Sequence, residues 1–366
     1  MATAALEVAV EGVEAAAFTV PTEQPESDGT LEWDATTVVV AEVSAGDAQG
    51  LGYSYGPAAT ASLIDEVLAS AIVGRDPMDV PGAWEAMVRT IRNHGRPGIC
   101  SMAIAAVDIA LWDLKARLLD TSLGELLGAS RDSVPVYGSG GFTSYDDDAL
   151  RDQLAGWAEA GIRSVKMKVG RRPEDDPRRV EVARSAVGPD VRLMVDANGA
   201  FDRREALAAA ARFAELGVGW FEEPVSSDDL EGLRLVRDRG PAGIEVAAGE
   251  YGYDLPYFRR MLEAGAVDVV QVDATRCAGF TELLRVDALC RAWAVPLSAH
   301  TAPTLHAHVG CAAGLRDVEY FHDHVRVEHL LLDGSLGAED GEIRPDRSRP
   351  GLGIELKRAD AERFAV

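Results

Sequence analysis

The chain has 366 residues, of which 47% are hydrophobic and 26% charged, as expected for a globular protein with one barrel-sized domain and an accessory domain. Its 60 acidic and 36 basic residues give a formal net charge of −24, which disfavours a nucleic-acid partner because the phosphate backbone is also negative. The four cysteines form no CxxC pair, the N-terminal residues lack the basic start of a secretory signal, and no apolar stretch approaches the length of a membrane span. We therefore expect a cytoplasmic protein without a membrane partner.

Residues 1–130 contain strand-like sequence followed by helix-like sequence, which predicts an α+β domain. Thr37–Val43 is rich in β-branched residues, and Asp47–Gly56 after it is rich in turn residues. Phe18–Trp33 contains two prolines and four acidic residues and is predicted to be a flexible loop. Helical patterns follow at Ala61–Ala71 and Ser101–Leu119.

From residue 131 to about 330, short β-branched runs alternate with helical patterns of ten or more residues. This alternation predicts parallel strands joined by helices, and eight such strands favour a closed (β/α)8 barrel. An open doubly wound sheet is the alternative, but its GxGxxG fingerprint is missing. Residues 331–366 are rich in Gly, Pro and charge, and we expect them to return to the first domain. The eight strand candidates are VPVYGSGGF, SVKMKVG, VRLMVDAN, VGWFEEP, IEVAAGE, VDVVQVDA, VPLSAH and VEYF.

Seven consecutive strand candidates carry an ionisable residue near their C-terminal end. One acidic residue at a strand end is often only a helix cap, but buried barrel strands do not carry seven such residues without a purpose, because an unpaired buried charge is costly. The carboxyl ends of barrel strands are also where catalytic sites form. The residues are Lys168 with Lys166 beside it, Asp196, Glu222, Glu250, Asp273, His300 and Glu319.

Asp196, Glu222 and Glu250 come from three adjacent strands, so their carboxylates can converge on one point. Without a cation they would repel one another and raise each other's pKa. Three carboxylates leave octahedral positions for water and substrate, which suits Mg²⁺. Zinc is less favoured because no Cys or His joins the trio.

Two groups near this point are suited to proton transfer. Lys166 and Lys168 alternate along a strand and share one face, so we expect each ammonium to lower the pKa of the other. Asp273 and His300 lie on neighbouring strands, where the carboxylate can orient the imidazole and leave its second nitrogen free. Two such groups beside a cation suit abstraction of a proton next to a carboxylate.

The ordered motifs KxK, DxN, EEP and GE, with the Asp/His pair and the late Glu, resemble the enolase superfamily, mandelate racemase subgroup. Ser101–Lys115 also resembles the long helix of that family's N-terminal capping domain. The resemblance implies that residues 1–130 form a capping domain whose loops, here Phe18–Trp33 and the turn at 50–55, close over the barrel mouth. Many relatives carry a glutamate in that turn, and this chain does not.

The resemblance also implies a role for each site residue. Mg²⁺ is held by three carboxylates, and two residues act as acid and base on opposite faces of the substrate, one of them oriented by an aspartate. The remaining residues bind the substrate or its enediolate. The metal ligands are Asp196, Glu222 and Glu250, the acid/base residues are Lys168 and His300 with Asp273 orienting His300, and the substrate-binding residues are Lys166, Glu319 and Asn198.

The expected reaction is therefore Mg²⁺-dependent removal of the proton α to a carboxylate, with dehydration of a sugar acid to a 2-keto-3-deoxy acid as the main hypothesis. A racemase or epimerase and a lactone cycloisomerase use the same groups and stay open. A non-catalytic metal-binding barrel is the alternative from another class. A metal-dependent hydrolase is disfavoured because the first strand supplies no HxH pair. We expect a small carboxylate as substrate and a homo-oligomer as the assembly.

Four further histidines follow the seventh and eighth strand candidates. His306 and His308 lie in a helical stretch about 200° apart, so they cannot ligate one metal ion and are interpreted as structural. His322 and His324 directly follow the eighth strand candidate. If this segment is extended, both side chains face one side and could form a second polar cluster at the rim.

Overall fold

The computed structural model describes residues 8–366 and shows an N-terminal α+β domain packed on a parallel barrel, which confirms the predicted fold class. The N-terminal domain contains an antiparallel sheet of β1 (Gly12–Ser27), β2 (Glu32–Ala45) and β3 (Ala48–Tyr55), in that order. Helical segments cover one side of this sheet. They are α1 (Ala59–Leu63), a π-helical turn (Ile64–Leu68), α2 (Ala69–Ile72), α3 (Val80–Thr90), a 3-10 turn (Ile91–Asn93), α4 (Ile99–Leu118) and α5 (Leu123–Leu126).

The prediction of a flexible loop at Phe18–Trp33 was wrong, because most of this segment is strand. β1 pairs with β2 as a long hairpin whose register runs to Pro21, shifts, and resumes at Glu26 opposite Trp33. The shift accommodates the prolines, which cannot donate to the ladder. The indole of Trp33 also donates to Glu26 Oε2 at 3.0 Å, which fixes the hairpin beyond the irregular stretch.

The turn-rich segment Asp47–Gly56 is also largely a strand, β3. Gly50 and Gly52 are there because helix α4 crosses the sheet very closely. A Cβ at Gly50 would lie 2.2 Å from the carbonyl oxygen of Ala110, and one at Gly52 would lie 2.2 Å from that of Ala106. Glycine in a strand often marks such a close approach, so these residues signal packing and not a turn.

The barrel has eight parallel strands, and pairing of its last strand with its first closes the ring. Each predicted strand is present. Aspartate side chains cap the N-termini of several of the connecting helices, including Asp202, which forms a capping box with Glu205. The strands are β4 (Val134–Gly140), β5 (Ser164–Lys168), β6 (Arg192–Asp196), β7 (Val218–Glu222), β8 (Glu245–Ala248), β9 (Val269–Val272), β10 (Leu297–Ala299) and β11 (Leu315–Phe321). The helices are α6 (Asp147–Glu159), α7 (Asp176–Val187), α8 (Arg203–Glu215), α9 (Leu230–Arg239), α10 (Leu255–Ala264), α11 (Phe280–Trp293), α12 (Pro303–Ala312) and α13 (His322–Leu331).

The C-terminal segment contacts both parts of the molecule. Ile343 pairs with Val134 at the start of β4, and Ala365 forms an antiparallel bridge with Phe18 of β1. One cluster of buried apolar side chains continues from the sheet of the N-terminal domain into the barrel. The short elements of the segment are β12 (Leu332–Asp333), β13 (Ala338–Glu339), β14 (Glu342–Ile343), β15 (Glu355–Leu356), α14 (Arg358–Ala361) and a 3-10 turn (Glu362–Phe364).

Within residues 8–366, no helix is both long enough and apolar enough to span a membrane.

Candidate active site

Strand register brings the predicted site residues to one end of the barrel. Lys168 is the register partner of Asp196, which in turn is the partner of Glu222. Glu250, Asp273 and His300 follow their strands by one or two residues, and Glu319 lies within β11. Because parallel strands share one direction, these positions form a ring of charged side chains at the carboxyl end of the barrel.

Three carboxylates in this ring are arranged as cation ligands. Asp196, Glu222 and Glu250 each offer an oxygen, and these oxygens all lie within 4.8 Å of one another. All three side chains are buried. Within the described chain, no group donates a hydrogen bond to Glu250 Oε2. A buried carboxylate oxygen without a hydrogen-bond donor is costly. The three carboxylates therefore suit a hard divalent cation, which binds oxygen ligands.

The pKa values of these carboxyl groups are shifted because the groups are buried close to one another and to the two lysines. Burial and the neighbouring Asp196 raise the pKa of Glu222 well above its usual value. Burial also disfavours ionisation of Asp196, but Lys168 and Lys166 outweigh it and lower the pKa of this carboxyl. The two lysines thus supply positive charge to the carboxylates.

The ammonium groups of the two lysines lie at different depths. Lys166 is fully buried, and its Nζ lies 2.5 Å from Glu222 Oε1 and 2.8 Å from Glu319 Oε1. Lys168 is nearer the cavity, with its Nζ 2.6 Å from Asp196 Oδ2 and 3.1 Å from Asn198 Oδ1. Contact of Lys166 with a substrate carboxylate stays a prediction.

Burial lowers the pKa of Lys168, and Lys166 lowers it further, as predicted for two neighbouring ammonium groups. Attraction to Asp196 and other carboxylates, which the prediction did not include, exceeds both effects and raises the pKa of Lys168 overall. A cation at those carboxylates would offset this attraction and favour release of the Lys168 proton.

Asp273 and His300 form the predicted pair. Asp273 Oδ2 lies 2.8 Å from His300 Nδ1, while Asp273 Oδ1 accepts from the backbone N–H and hydroxyl of Thr275, both at 2.7 Å. Burial raises the pKa of Asp273, but its interactions with His300 and Arg276 outweigh burial and lower it. The ionised carboxylate therefore favours a proton on Nδ1, leaving Nε2 to face Glu250 Oε2 at 3.4 Å.

Glu319 connects the two sides of the site. Its Oε1 contacts Lys166, and its Oε2 accepts from the backbone N–H of Thr301 at 3.1 Å. Burial raises the pKa of Glu319, but its interactions with Lys166, His300 and Lys168 outweigh burial and lower it. Glu319 is thus an ionised acceptor next to both the lysine pair and His300.

A cavity of about 240 Å³ lies above these residues, between the barrel and the hairpin of β1 and β2. Of the predicted site residues, Lys168, Asn198, Glu250 and His300 line it, while Lys166 lies deeper. A neighbouring cavity of about 610 Å³ shares Asn198 and Tyr251 with it. Together, these two adjoining cavities are large enough for a small organic acid.

Several lining residues were missed by the sequence interpretation. Arg276 follows Asp273 by three residues, and its Nη1 donates to Glu250 Oε1 at 3.1 Å. Its position shortly after a predicted strand end could have identified Arg276 as a site residue from the sequence. Trp33 and Tyr251 carried no comparable signal because their place in the cavity depends on tertiary packing.

The conditional prediction for His322 and His324 failed because both lie in the first turn of helix α13. His324 is buried and stacks on Tyr55 with ring centroids 3.5 Å apart. His322 lies apart from it, with its Nε2 3.3 Å from Glu23 of the β1 strand. The two histidines therefore form no joint cluster, and His324 alone lines the cavity.

The fold and the site define a barrel enzyme with a buried carboxylate metal site beneath a capping domain. Residues 149–361 match the family model described as enolase C-terminal domain-like, and residues 13–128 match that of the mandelate racemase / muconate lactonizing enzyme N-terminal domain. The chain therefore belongs to the enolase superfamily, in the mandelate racemase/muconate lactonizing enzyme subgroup. The resemblance noted from the sequence is confirmed, and because this is an enzyme family the alternative of a non-catalytic barrel is not retained.

Relatives with different activities resemble this chain over nearly its whole length. A mandelate racemase/muconate lactonizing enzyme-like protein from Rubrobacter xylanophilus is 54% identical, with a TM-score of 0.96 over 98% of this chain and 100% of that one. A D-galactarolactone cycloisomerase from Agrobacterium fabrum is 31% identical over 93% of this chain and 95% of its own length. L-talarate/galactarate dehydratase from Salmonella typhimurium LT2 is 29% identical in sequence. Its structure, liganded with Mg and L-lyxarohydroxamate, has a TM-score of 0.89 over 100% of this chain and 95% of that one.

Proposed function

We propose that this protein is a Mg²⁺-dependent dehydratase that converts a sugar acid to a 2-keto-3-deoxy acid. The observation that carries the proposal is the buried trio Asp196, Glu222 and Glu250, with proton-transfer groups on either side along the ring of strands. The related dehydratase with bound Mg supports the choice of metal and of substrate class.

In this proposal the trio holds Mg²⁺, which when bound withdraws electrons from the substrate carboxylate and so acidifies the neighbouring C–H group. Lys168 and His300 act as the base and the acid, one on the α proton of the substrate and the other on its β-hydroxyl. Removal of the α proton by one residue and protonation of the departing β-hydroxyl by the other give an enol, which becomes the 2-keto acid. Asp273 keeps His300 in the tautomer with Nε2 free.

The remaining residues of the site bind and orient the substrate. Asn198 accepts from the Lys168 ammonium at 3.1 Å and is proposed to hold it towards the substrate. Glu319 and Lys166 lie 2.8 Å apart, and we propose that they contact the carboxylate end of the substrate as charge builds up there. The β1–β2 hairpin forms one wall of the cavity in which the substrate would lie.

The experiment is a screen of acid sugars, including galactarate and its C2 epimer talarate, for keto-acid product with Mg²⁺ or with EDTA. Product should appear with Mg²⁺ and disappear with EDTA. Glu222→Gln should lose activity together with the thermal stabilisation by Mg²⁺, which for a ligand at 100 times its Kd is about 2.7 kcal/mol. Glu245→Gln is the matched control, because Glu245 lies at the opposite end of the barrel, where it contacts Arg192 and Arg316.

Two results would contradict the proposal. One is Mg²⁺ stabilisation that persists in Glu222→Gln, because the metal would then bind elsewhere. The other is α-proton exchange without keto-acid formation across the screen, which would indicate a racemase or epimerase. The predicted homo-oligomer is a separate proposal, to be tested by sedimentation velocity of the purified chain.

A lactone cycloisomerase is the second candidate, favoured by the whole-length match to D-galactarolactone cycloisomerase. The same bases serve this reaction, but the leaving group stays attached to the product. Galactarolactone is galactarate less one water, so its isomerisation and the dehydration of galactarate give products of the same mass. A cycloisomerase should convert freshly dissolved galactarolactone and leave galactarate unchanged, whereas a dehydratase should convert galactarate. Parallel incubations with the two compounds, followed by mass spectrometry, distinguish the two reactions.

A further inference from the structure

His306 is a fully buried side chain in helix α12 that joins two loops of the active site. Its Nε2 accepts from the backbone N–H of Ala274 at 3.0 Å, and its Nδ1 lies 2.7 Å from the carbonyl oxygen of Thr301. Ala274 directly follows Asp273, and Thr301 directly follows His300. One imidazole thus bridges the backbones that carry both members of the Asp273–His300 pair.

The loop after His300 needs such support because its backbone is strained. Thr301 has φ 50° and Ala302 has φ 40°, the left-handed region that costs a residue with a Cβ about 1–2 kcal/mol. A β-branched residue is especially rare there. The strain persists only where surrounding contacts hold it, and among these contacts are the Thr301 carbonyl with His306 and the Thr301 N–H with Glu319.

The two hydrogen bonds also fix the proton on His306. A carbonyl oxygen can only accept, so Nδ1 must carry a proton, and a backbone N–H can only donate, so Nε2 must be bare. Burial, the largest influence, lowers the pKa of His306. His306 therefore stays neutral and keeps both bonds.

We propose that His306 is a positioning residue that sets the distance between Asp273 and His300 by bridging the loops on which they lie. The catalytic part of this inference rests on the proposed function, in which His300 exchanges a proton with the substrate. His306 itself donates to and accepts from backbone groups, and acts through the pair.

The neighbouring His308 provides a matched control. It lies in the same helix and is also fully buried, but within residues 8–366 neither of its ring nitrogens bonds to the loops that carry Asp273 and His300. Burial lowers its pKa to about 4, so it too is neutral. His306→Phe and His308→Phe thus place the same ring in the same helix, and only the first breaks the bridge.

The first test needs no substrate. In proton NMR spectra of the full-length protein, the His300 N–H donated to Asp273 should give a downfield resonance, assigned by its loss in His300→Asn. His308→Phe should retain this resonance, and His306→Phe should shift it upfield or broaden it. An unchanged resonance in a folded His306→Phe protein overturns the proposal. If His306→Phe does not fold, His306→Gln, whose amide can reach the Ala274 N–H, replaces it and should show an intermediate shift.

The second test separates positioning from general damage. In D₂O with Mg²⁺, exchange of the α proton is followed for galactonate and its C2 epimer talonate, each of which has one carboxylate and therefore one α-carbon, of opposite configuration in the two acids. His306→Phe should slow α-proton exchange of the epimer on which His300 acts by roughly 10- to 100-fold, the effect expected from a misplaced catalytic group. The exchange rate of the epimer on which Lys168 acts should stay within about twofold of wild type. Equal slowing of both epimers would show a merely structural role and overturn the proposal. If wild type exchanges neither probe, the proposed function fails on its own and the NMR result still decides the role of His306.

Discussion

Lys168 and His300 line the same cavity, and each presents a nitrogen that can exchange a proton. They come from the second and seventh strands of the ring, so each is expected to act on one configuration of the substrate α-carbon. His300→Asn should lose α-deuterium exchange for one epimer and keep it for the other, and Lys168→Ala should show the converse. Each loss should be about 10²- to 10⁴-fold, measured by NMR or mass spectrometry in D₂O. Wild-type exchange in the double variant would show that other groups move the proton.

His324 has hydrogen-bonding capacity that the protein does not use. Its Nδ1 has no partner among the described residues, it lines the cavity, and burial lowers its pKa to about 3, so it is a neutral ring. We expect it to bind a substrate hydroxyl. His324→Phe keeps the stack on Tyr55 but removes this bond, so KM should rise about tenfold, or about 1.4 kcal/mol. A KM unchanged within twofold, with unchanged kcat, would contradict this role.

At the scale of secondary-structure elements, helix α11 of the barrel receives its N-terminal cap from the other domain. Gly279 has φ 93° and offers no capping side chain. Instead, Asp108 of helix α4 accepts from the backbone N–H of Thr281 at 3.0 Å and from its hydroxyl at 2.6 Å. A Cβ at Gly279 would lie 2.3 Å from Asp108 Oδ2, so the glycine permits both the positive φ and the close approach. The cap ties the N-terminal domain to the loop that starts at Asp273.

This cap should make stability depend on pH. Burial raises the pKa of Asp108 to about 7, above the value of about 3.9 in an unfolded chain. Between these values the folded state binds more protons than the unfolded state, so the contribution of Asp108 to the free energy of unfolding falls as pH rises. Asp108→Asn cannot ionise, so its stability relative to wild type should improve from pH 4 to pH 8 by roughly 2–4 kcal/mol, as measured by urea unfolding. A constant difference across this range would contradict the shift.

The barrel strands were predictable because seven of the eight carried two agreeing signals. A β-branched run marked the strand, and an ionisable residue such as Asp196 or Glu222 marked its end. The ordered spacing of these ends then predicted which carboxylates converge. The lysine pKa direction was not predictable in the same way, because it depends on contacts of Lys168 with Asp196 at 2.6 Å.

The capping sheet was harder to predict because its local signals conflict with its structure. Prolines and acids in β1 indicate a loop, but pairing with β2 over most of its length overrides them. Gly50 and Gly52 indicate a turn, but their small size serves the approach of α4. Both cases are tertiary packing overriding local propensity.

For the whole molecule, the apolar core predicts one cooperative unfolding step. The buried cluster that includes Phe18, Val38 and Leu51 of the capping sheet continues to Val136 and Phe221 of the barrel. Phe18→Ala should therefore cost about 3–5 kcal/mol and lower the unfolding midpoints of both domains together. Hydrogen exchange with mass spectrometry across a urea series, comparing peptides of β2 and β7, measures this. A midpoint that falls only for the β2 peptide would show that the domains unfold separately.

The bridge between Phe18 and Ala365 has a consequence for how the protein is made. The β1 strand leaves the ribosome early, but its partner Ala365 is translated only after the whole barrel. During that interval the helices of the N-terminal domain cover one face of the capping sheet, but the face that packs on the barrel and the C-terminal segment stays uncovered. We therefore expect a newly made chain to expose apolar surface, to which chaperones can bind, until the residues around Ala365 reach β1.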